Sequence, residues 1–123
     1  MVMVEVAKSP SVLFTDMYGS QLPIVVSHGE GFANFNSHEQ IQNANIALKF
    51  IDSHGQISQI YPYNPNGSPG GITSVTSDDG RCTIMMPHPE RTFRTKLMSW
   101  HDKKWGENGP WFKVFINAFK FVS

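Results

Sequence analysis

Val2, Val4 and Val6 alternate with Met3 and Glu5, and this period of two predicts a short opening strand. Ser9-Pro10-Ser11 ends it. Leu22-Pro23-Ile24-Val25-Val26-Ser27 is a continuous apolar run, which predicts a second strand buried enough to be central in a sheet. It leads into Ser27-His28-Gly29-Glu30-Gly31, where two glycines within three residues predict a tight turn or a close backbone approach. Ser37 followed three residues on by Gln40 has the form of a capping box, so a short helix to about Asn43 is expected.

Two hairpins follow. The first joins residues 47–51 to residues 56–61 across Asp52-Ser53-His54-Gly55, and the second joins residues 72–76 to residues 81–86 across Asp78-Asp79-Gly80. Between them, residues 61–71 hold three prolines and three glycines and read as a structured loop. Asn108-Gly109-Pro110 then starts the one long helix. Trp111, Val114, Phe115, Ala118 and Phe119 give it an apolar stripe that Phe112, Ile116 and Phe121 widen, so the helix is expected to be well buried. No repeat, linker or low-complexity segment interrupts the chain. A strand-rich chain of 123 residues with so little helical cover suggests part of a larger α/β domain.

Composition narrows the function. Ten basic and ten acidic residues cancel, which argues against a nucleic-acid or membrane surface. No apolar run approaches the ~20 residues that span a bilayer, and the first residues alternate too early for a signal peptide. The single cysteine, Cys82, excludes an internal disulfide and a cysteine-based zinc site, and a reducing, cytoplasmic setting is the expectation. Five histidines permit a metal hypothesis, but zinc wants three or four convergent ligands, and His38 and His54 fall in a cap and a turn. No metal is expected.

The chemistry lies in His88-Pro89-Glu90. On extended backbone, residues two apart point to the same side. Proline restricts both its own φ and the residue before it, which holds that spacing. A carboxylate there accepts from one ring nitrogen and leaves the other free as a general base. Such a pair needs a nucleophile. Cys82 is six residues away, about 20 Å along a strand, and lacks the flanking glycines that expose a nucleophile. It reads as a small buried hydrophobe.

Met85-Met86-Pro87-His88-Pro89-Glu90-Arg91-Thr92-Phe93-Arg94 resembles the end of a class I, triad-type glutamine amidotransferase domain. Within that family the chain is similar to the glutaminase domains of the phosphoribosylformylglycinamidine synthases. Leu22–Gly31, Tyr61–Ser68, and Ser99-Trp100-His101 with Trp105-Gly106-Glu107 carry the same resemblance, in family order and over nearly the whole chain.

The resemblance implies an α/β fold: the strand-rich C-terminal half of a flavodoxin-like glutaminase domain, residues 1–123, with a long C-terminal helix. It implies that His88 is the base and Glu90 the carboxylate that orients it, both serving a cysteine that attacks the amide of glutamine. The family's Gly-x-Cys-x-Gly elbow and glycine-rich oxyanion loop are not in this sequence, so they are expected N-terminal to Met1. The isolated chain is accordingly expected to be inactive. The implied partners are glutamine, the rest of the glutaminase domain, and an ATP-dependent synthetase domain holding ATP and magnesium. No cofactor is expected in this chain.

Further candidates divide between roles. His28 and Glu30 serve either a loop near the glutamine site or a glycine-enforced turn. Asn64, Asn66 and Ser68 either surround substrate or satisfy a tight turn, since Asn and Gly tolerate positive φ. Arg91 and Arg94 either brace the His88 loop or meet a partner domain, and the three tryptophans are packing and interface groups. A truncated glutaminase half acting as a docking module without chemistry is the alternative reading.

Overall fold

The computed structural model describes residues 1–123. Five strands form one antiparallel sheet: β1 (Val2–Val6), β2 (Gln21–Ile24), β3 (Asn45–Ile51), β4 (Ile72–Thr76) and β5 (Thr83–Met85), in the order β2-β1-β3-β4-β5. β1 is the hub, pairing Val4 with Leu22 on one side and with Phe50 on the other. Two helices complete the α/β chain: α1 (His38–Asn43) and α2 (Phe112–Val122). Ser37 caps the helix, its Oγ accepting from the Gln40 amide at 3.2 Å, while the Gln40 side chain reaches back to accept from the Asn36 amide at 2.8 Å rather than from Ser37. No helix is long and apolar enough to cross a membrane.

The sheet is strongly curled. β2 and β5 lie at opposite edges, yet Val25, just past β2, bridges to His88, three residues past β5. Curling encloses Val4, Val6, Leu22, Ile24, Leu48 and Phe50, which pack against Phe14, Met17, Trp111 and Val114. Phe14 meets Trp111 edge-on, with ring centroids 6.5 Å apart. The Trp111 indole N–H donates to the Pro23 carbonyl at 2.7 Å inside this core.

Three expectations need correction. The apolar run at residues 22–27 is an edge strand, not a central one. Trp111 and α2 cover it in place of a second neighbouring strand, and Pro23, which has no N–H to donate, suits that edge. The hairpin expected at residues 47–61 shrinks to one bridge, Ile51 to Ile57, because β1 and β4 already occupy both edges of β3. The second hairpin forms with Thr76 opposite Thr83.

The buried face of α2 is also rotated from the phenylalanine stripe. It consists of Trp111, Val114 and Asn117, while Phe119 is 70% exposed and Phe115 and Phe121 are exposed too. Asn117 accounts for the rotation. Its Nδ2 donates to the carbonyls of Leu13 and Thr15, both at 2.9 Å, and a buried polar group is retained where it is satisfied. Val114→Ala is therefore expected to lower stability by about 2 kcal/mol, and Phe119→Ala by no more than about 0.5 kcal/mol, in urea unfolding.

Candidate active site

The chain reaches His88 along β5. Pairing continues one residue beyond that strand, with the Met86 amide donating to Thr73 O at 3.2 Å, before Pro87 stops it. The His88 amide then turns to the other edge of the sheet and donates to Val25 O at 2.8 Å. From Pro89 to Arg91 the backbone is a 3-10 turn rather than extended chain, closed by Arg91 N to His88 O at 3.1 Å. This corrects the expected strand geometry. The turn is what brings the pair together, with His88 Nδ1 2.6 Å from Glu90 Oε1.

Partial burial pushes the Glu90 carboxyl upward, but the His88 hydrogen bond, its own backbone bond and the charge of Arg91 pull it further down. The net result lies below the usual glutamate value. An ionised carboxylate only accepts, so Nδ1 carries the donated proton, and in the neutral imidazole Nε2 is then the nitrogen with the free lone pair. That is the arrangement of a general base held by an orienting acid.

Cys82 does not join them. It is exposed rather than buried as expected, because the β4–β5 turn pins its backbone, with its N–H on Ser77 Oγ and its carbonyl receiving Ser77 N and Thr76 Oγ1. Strand pairing runs unbroken from Thr83 to Met86, so the thiol and His88 stay at opposite ends of the strand.

The loop of residues 26–33 leaves β2 just past the residue that anchors His88, which sets both His-x-Glu pairs at one end of that strand. Gly31 meets the expectation of a close approach. A Cβ there would overlap the His28 ring, so a larger residue would displace that imidazole. Asn66 latches this loop from the other side. Its Nδ2 donates to Gly31 O at 2.7 Å and lies 3.4 Å from His28 Nε2, while its Oδ1 accepts from Ser68 Oγ at 2.6 Å. Ser68 Oγ in turn accepts from the Ala33 amide at 2.9 Å.

His28, Asn66 and Ser68 are thus brought together, and Glu30 lines the same open depression as His28 and Asn66. Asn64 is different. It is buried, and it spends its amide on Ser58 O, Ser68 O and the Asn66 and Gly67 amides, so it organises the loop and offers a ligand nothing.

A groove of about 260 Å³ runs between residues 31–35 and the β4–β5 hairpin, ending at Met85 and Met86. Thr73 lines it, buried and with no hydrogen-bond partner for Oγ1. Two residues that matter here escaped the sequence reading: Val25, which anchors His88, and Thr92, which is wholly buried and whose Oγ1 lies 3.4 Å from Pro89 O. A threonine can bond back to a carbonyl three residues earlier, and that was the available signal. Arg94 pairs with Glu107 at 3.4 Å and stacks on Phe93, bracing the segment after the dyad. No three His, Cys, Asp or Glu side chains converge as metal ligands.

The profile of the CobB/CobQ-like glutamine amidotransferase domain matches residues 1–122. Among solved structures, the chain is similar to that of PurLQS from Thermotoga maritima, with a TM-score of 0.65 and 24% identity over 99% of this chain and 46% of that one. At that identity the likeness shows the fold. The chain spans less than half the length of the structure it matches.

Because Glu90 is depressed, the stabilisation from its pairing is full above the ordinary glutamate range and disappears as pH falls through the lower folded value. A carboxyl carbon NMR titration of Glu90 is expected to show a midpoint below 4.5, its ordinary value, moving upward in His88→Ala. Asn66→Ala is expected to cost about 1–2 kcal/mol in urea unfolding and to speed hydrogen exchange at the Ala33 amide.

Proposed function

Since the chain belongs to the CobB/CobQ-like glutamine amidotransferase family, we propose that His88 and Glu90 are the base and orienting acid of a glutamine-hydrolysing Cys-His-Glu triad. The observation that carries this is the 2.6 Å Nδ1–Oε1 contact, which ties Nδ1 to the carboxylate and leaves Nε2 as the ring nitrogen free to take a proton. The attacking thiol comes from polypeptide outside these 123 residues, because Cys82 sits at the far end of the β5 strand and is held there by its backbone bonds. Residues 1–123 then make up the C-terminal half of the glutaminase domain.

In the reaction, Nε2 removes the thiol proton and the thiolate attacks the side-chain amide carbon of glutamine. Glu90 stabilises the imidazolium so formed. As the tetrahedral intermediate collapses, His88 gives its proton to the departing nitrogen, which leaves as ammonia while a thioester remains. His88 next activates water, which releases glutamate and frees the thiol. The groove bounded by Thr73, Met85 and Met86 is the place for glutamine, with the Asn66-latched loop of His28 and Glu30 beside it.

The ordered motifs and the likeness to PurLQS support a finer assignment: the glutaminase portion of phosphoribosylformylglycinamidine synthase, a cytoplasmic enzyme of purine biosynthesis. Its ammonia passes to a synthetase portion, which uses ATP and magnesium to convert formylglycinamide ribonucleotide to the amidine. A second reading, a docking module without chemistry, draws on the exposed Phe115, Phe119 and Phe121 of α2.

Ammonia release separates the two. Alone, the chain is expected to release none from glutamine. Combined with the elbow-bearing half of the domain, it is expected to support hydrolysis that His88→Ala lowers about 10³-fold in kcat and Cys82→Ser leaves unchanged. Release by the isolated chain that Cys82→Ser abolishes would contradict the assignment. Activity of the combined halves indifferent to His88 would favour the docking module.

A further inference from the structure

The segment leading into α2 reaches the His88–Glu90 turn from both sides. On one side, the Trp111 indole N–H donates to Pro23 O at 2.7 Å, and two residues further along the same segment Val25 O receives the His88 amide at 2.8 Å. On the other side, the Gly109 amide donates to Phe93 O at 2.8 Å, directly after Thr92, whose own amide closes the turn on Pro89 O at 3.0 Å. Trp111 and Thr92 are both wholly buried. Two residues of the segment leading into α2 therefore hold the entry and the exit of the His88–Thr92 stretch, whose three-residue turn carries the acid next to the proposed base.

Both fastenings depend on particular residue types. Tryptophan is the apolar side chain that fills the core while keeping one N–H donor, and the carbonyl it meets belongs to an edge-strand proline. Glycine lets position 109 sit close against the turn, because an added Cβ would stand 2.7 Å from Met98 Cε and 3.3 Å from Thr92 O. The methionine end can move aside. The carbonyl belongs to the turn itself and cannot do so without shifting it.

We infer that Trp111 is a positioning residue for the His88–Glu90 pair, acting through the Pro23–Val25 segment, with Gly109 fastening the opposite end of the turn. The inference rests on the reading of His88 as the base. Its content is that the indole N–H serves the dyad as well as the core. Losing that N–H loosens His88 ahead of the rest of the sheet.

Trp111→Phe keeps a ring in the core and removes the donor, leaving Pro23 O unpaired. The experiment is native-state hydrogen exchange on the 123-residue chain, comparing the His88 amide with the Leu48 amide in β3, alongside the His88 Nδ1 proton resonance. The expected result is that His88 exchanges about tenfold faster or more while Leu48 changes far less, and that the Nδ1 proton broadens. Val114→Ala, which trims the same helix without touching the link, is expected to move both amides together. Equal acceleration of both amides in Trp111→Phe, or no acceleration at His88, would overturn the inference and leave Trp111 as packing alone. If Trp111→Phe does not fold, Gly109→Ala decides by the same comparison from the other end of the turn. Because exchange is read without turnover, failure here leaves the triad assignment standing, and failure of His88→Ala to affect hydrolysis leaves this mechanical link standing.

Discussion

One backbone hydrogen bond, from the His88 amide to the Val25 carbonyl, makes the two edges of this sheet answer to each other. Without it, β2 and β5 would be distant edges of an open five-stranded sheet. With it, the sheet curls around its apolar face, and the segment past β5 is fastened to the segment past β2. The same bond sets where the imidazole begins. His88 gains a fixed backbone position from long-range pairing, and its ring is then oriented locally by a turn only three residues long. Global curvature and local chemistry thus meet at a single residue.

The site is built of two fastenings of different character. The His88–Glu90 contact is short, charge-assisted and partly open to solvent, so its worth lies in orientation rather than in stability. The Asn66–Ser68 latch on the His28 loop is neutral and more enclosed, and it works by satisfying backbone groups that would otherwise be buried unpaired. The groove that ends at Met86 is lined by residues 31–35 and by β4 and β5, mostly with apolar side chains, and His88 follows two residues beyond its end. The family to which the chain belongs acts on the amide of glutamine.

Much of this was legible in the sequence where local rules dominate. The alternation of Val2, Val4 and Val6, the Ser37 cap, the Asp78-Asp79-Gly80 turn and the His-Pro-Glu spacing depend on near neighbours, and each is found in the structure. Misreadings arose mainly where distant residues decide. The run at residues 22–27 reads as a central strand because it is apolar, but its cover is a tryptophan about ninety positions away. The phenylalanines of α2 read as the buried stripe, yet Asn117 wins the inward position because two carbonyls at Leu13 and Thr15 need a donor. Cys82 reads as buried because cysteine usually is, and a tight turn exposes it. Of the two roles left open for Asn64, beside substrate or within a tight turn, its amide bonds inside its own loop support the second.

The central claim is that His88 holds its proton on Nδ1, toward Glu90, and presents a bare Nε2. Imidazole nitrogen-15 chemical shifts of the wild-type chain above pH 7.5 test it most directly. The account predicts a protonated Nδ1 signal, an unprotonated Nε2 signal, and loss of that distinction in Glu90→Gln. A ring protonated mainly on Nε2, or tautomers mixed equally whether or not Glu90 is present, would contradict it.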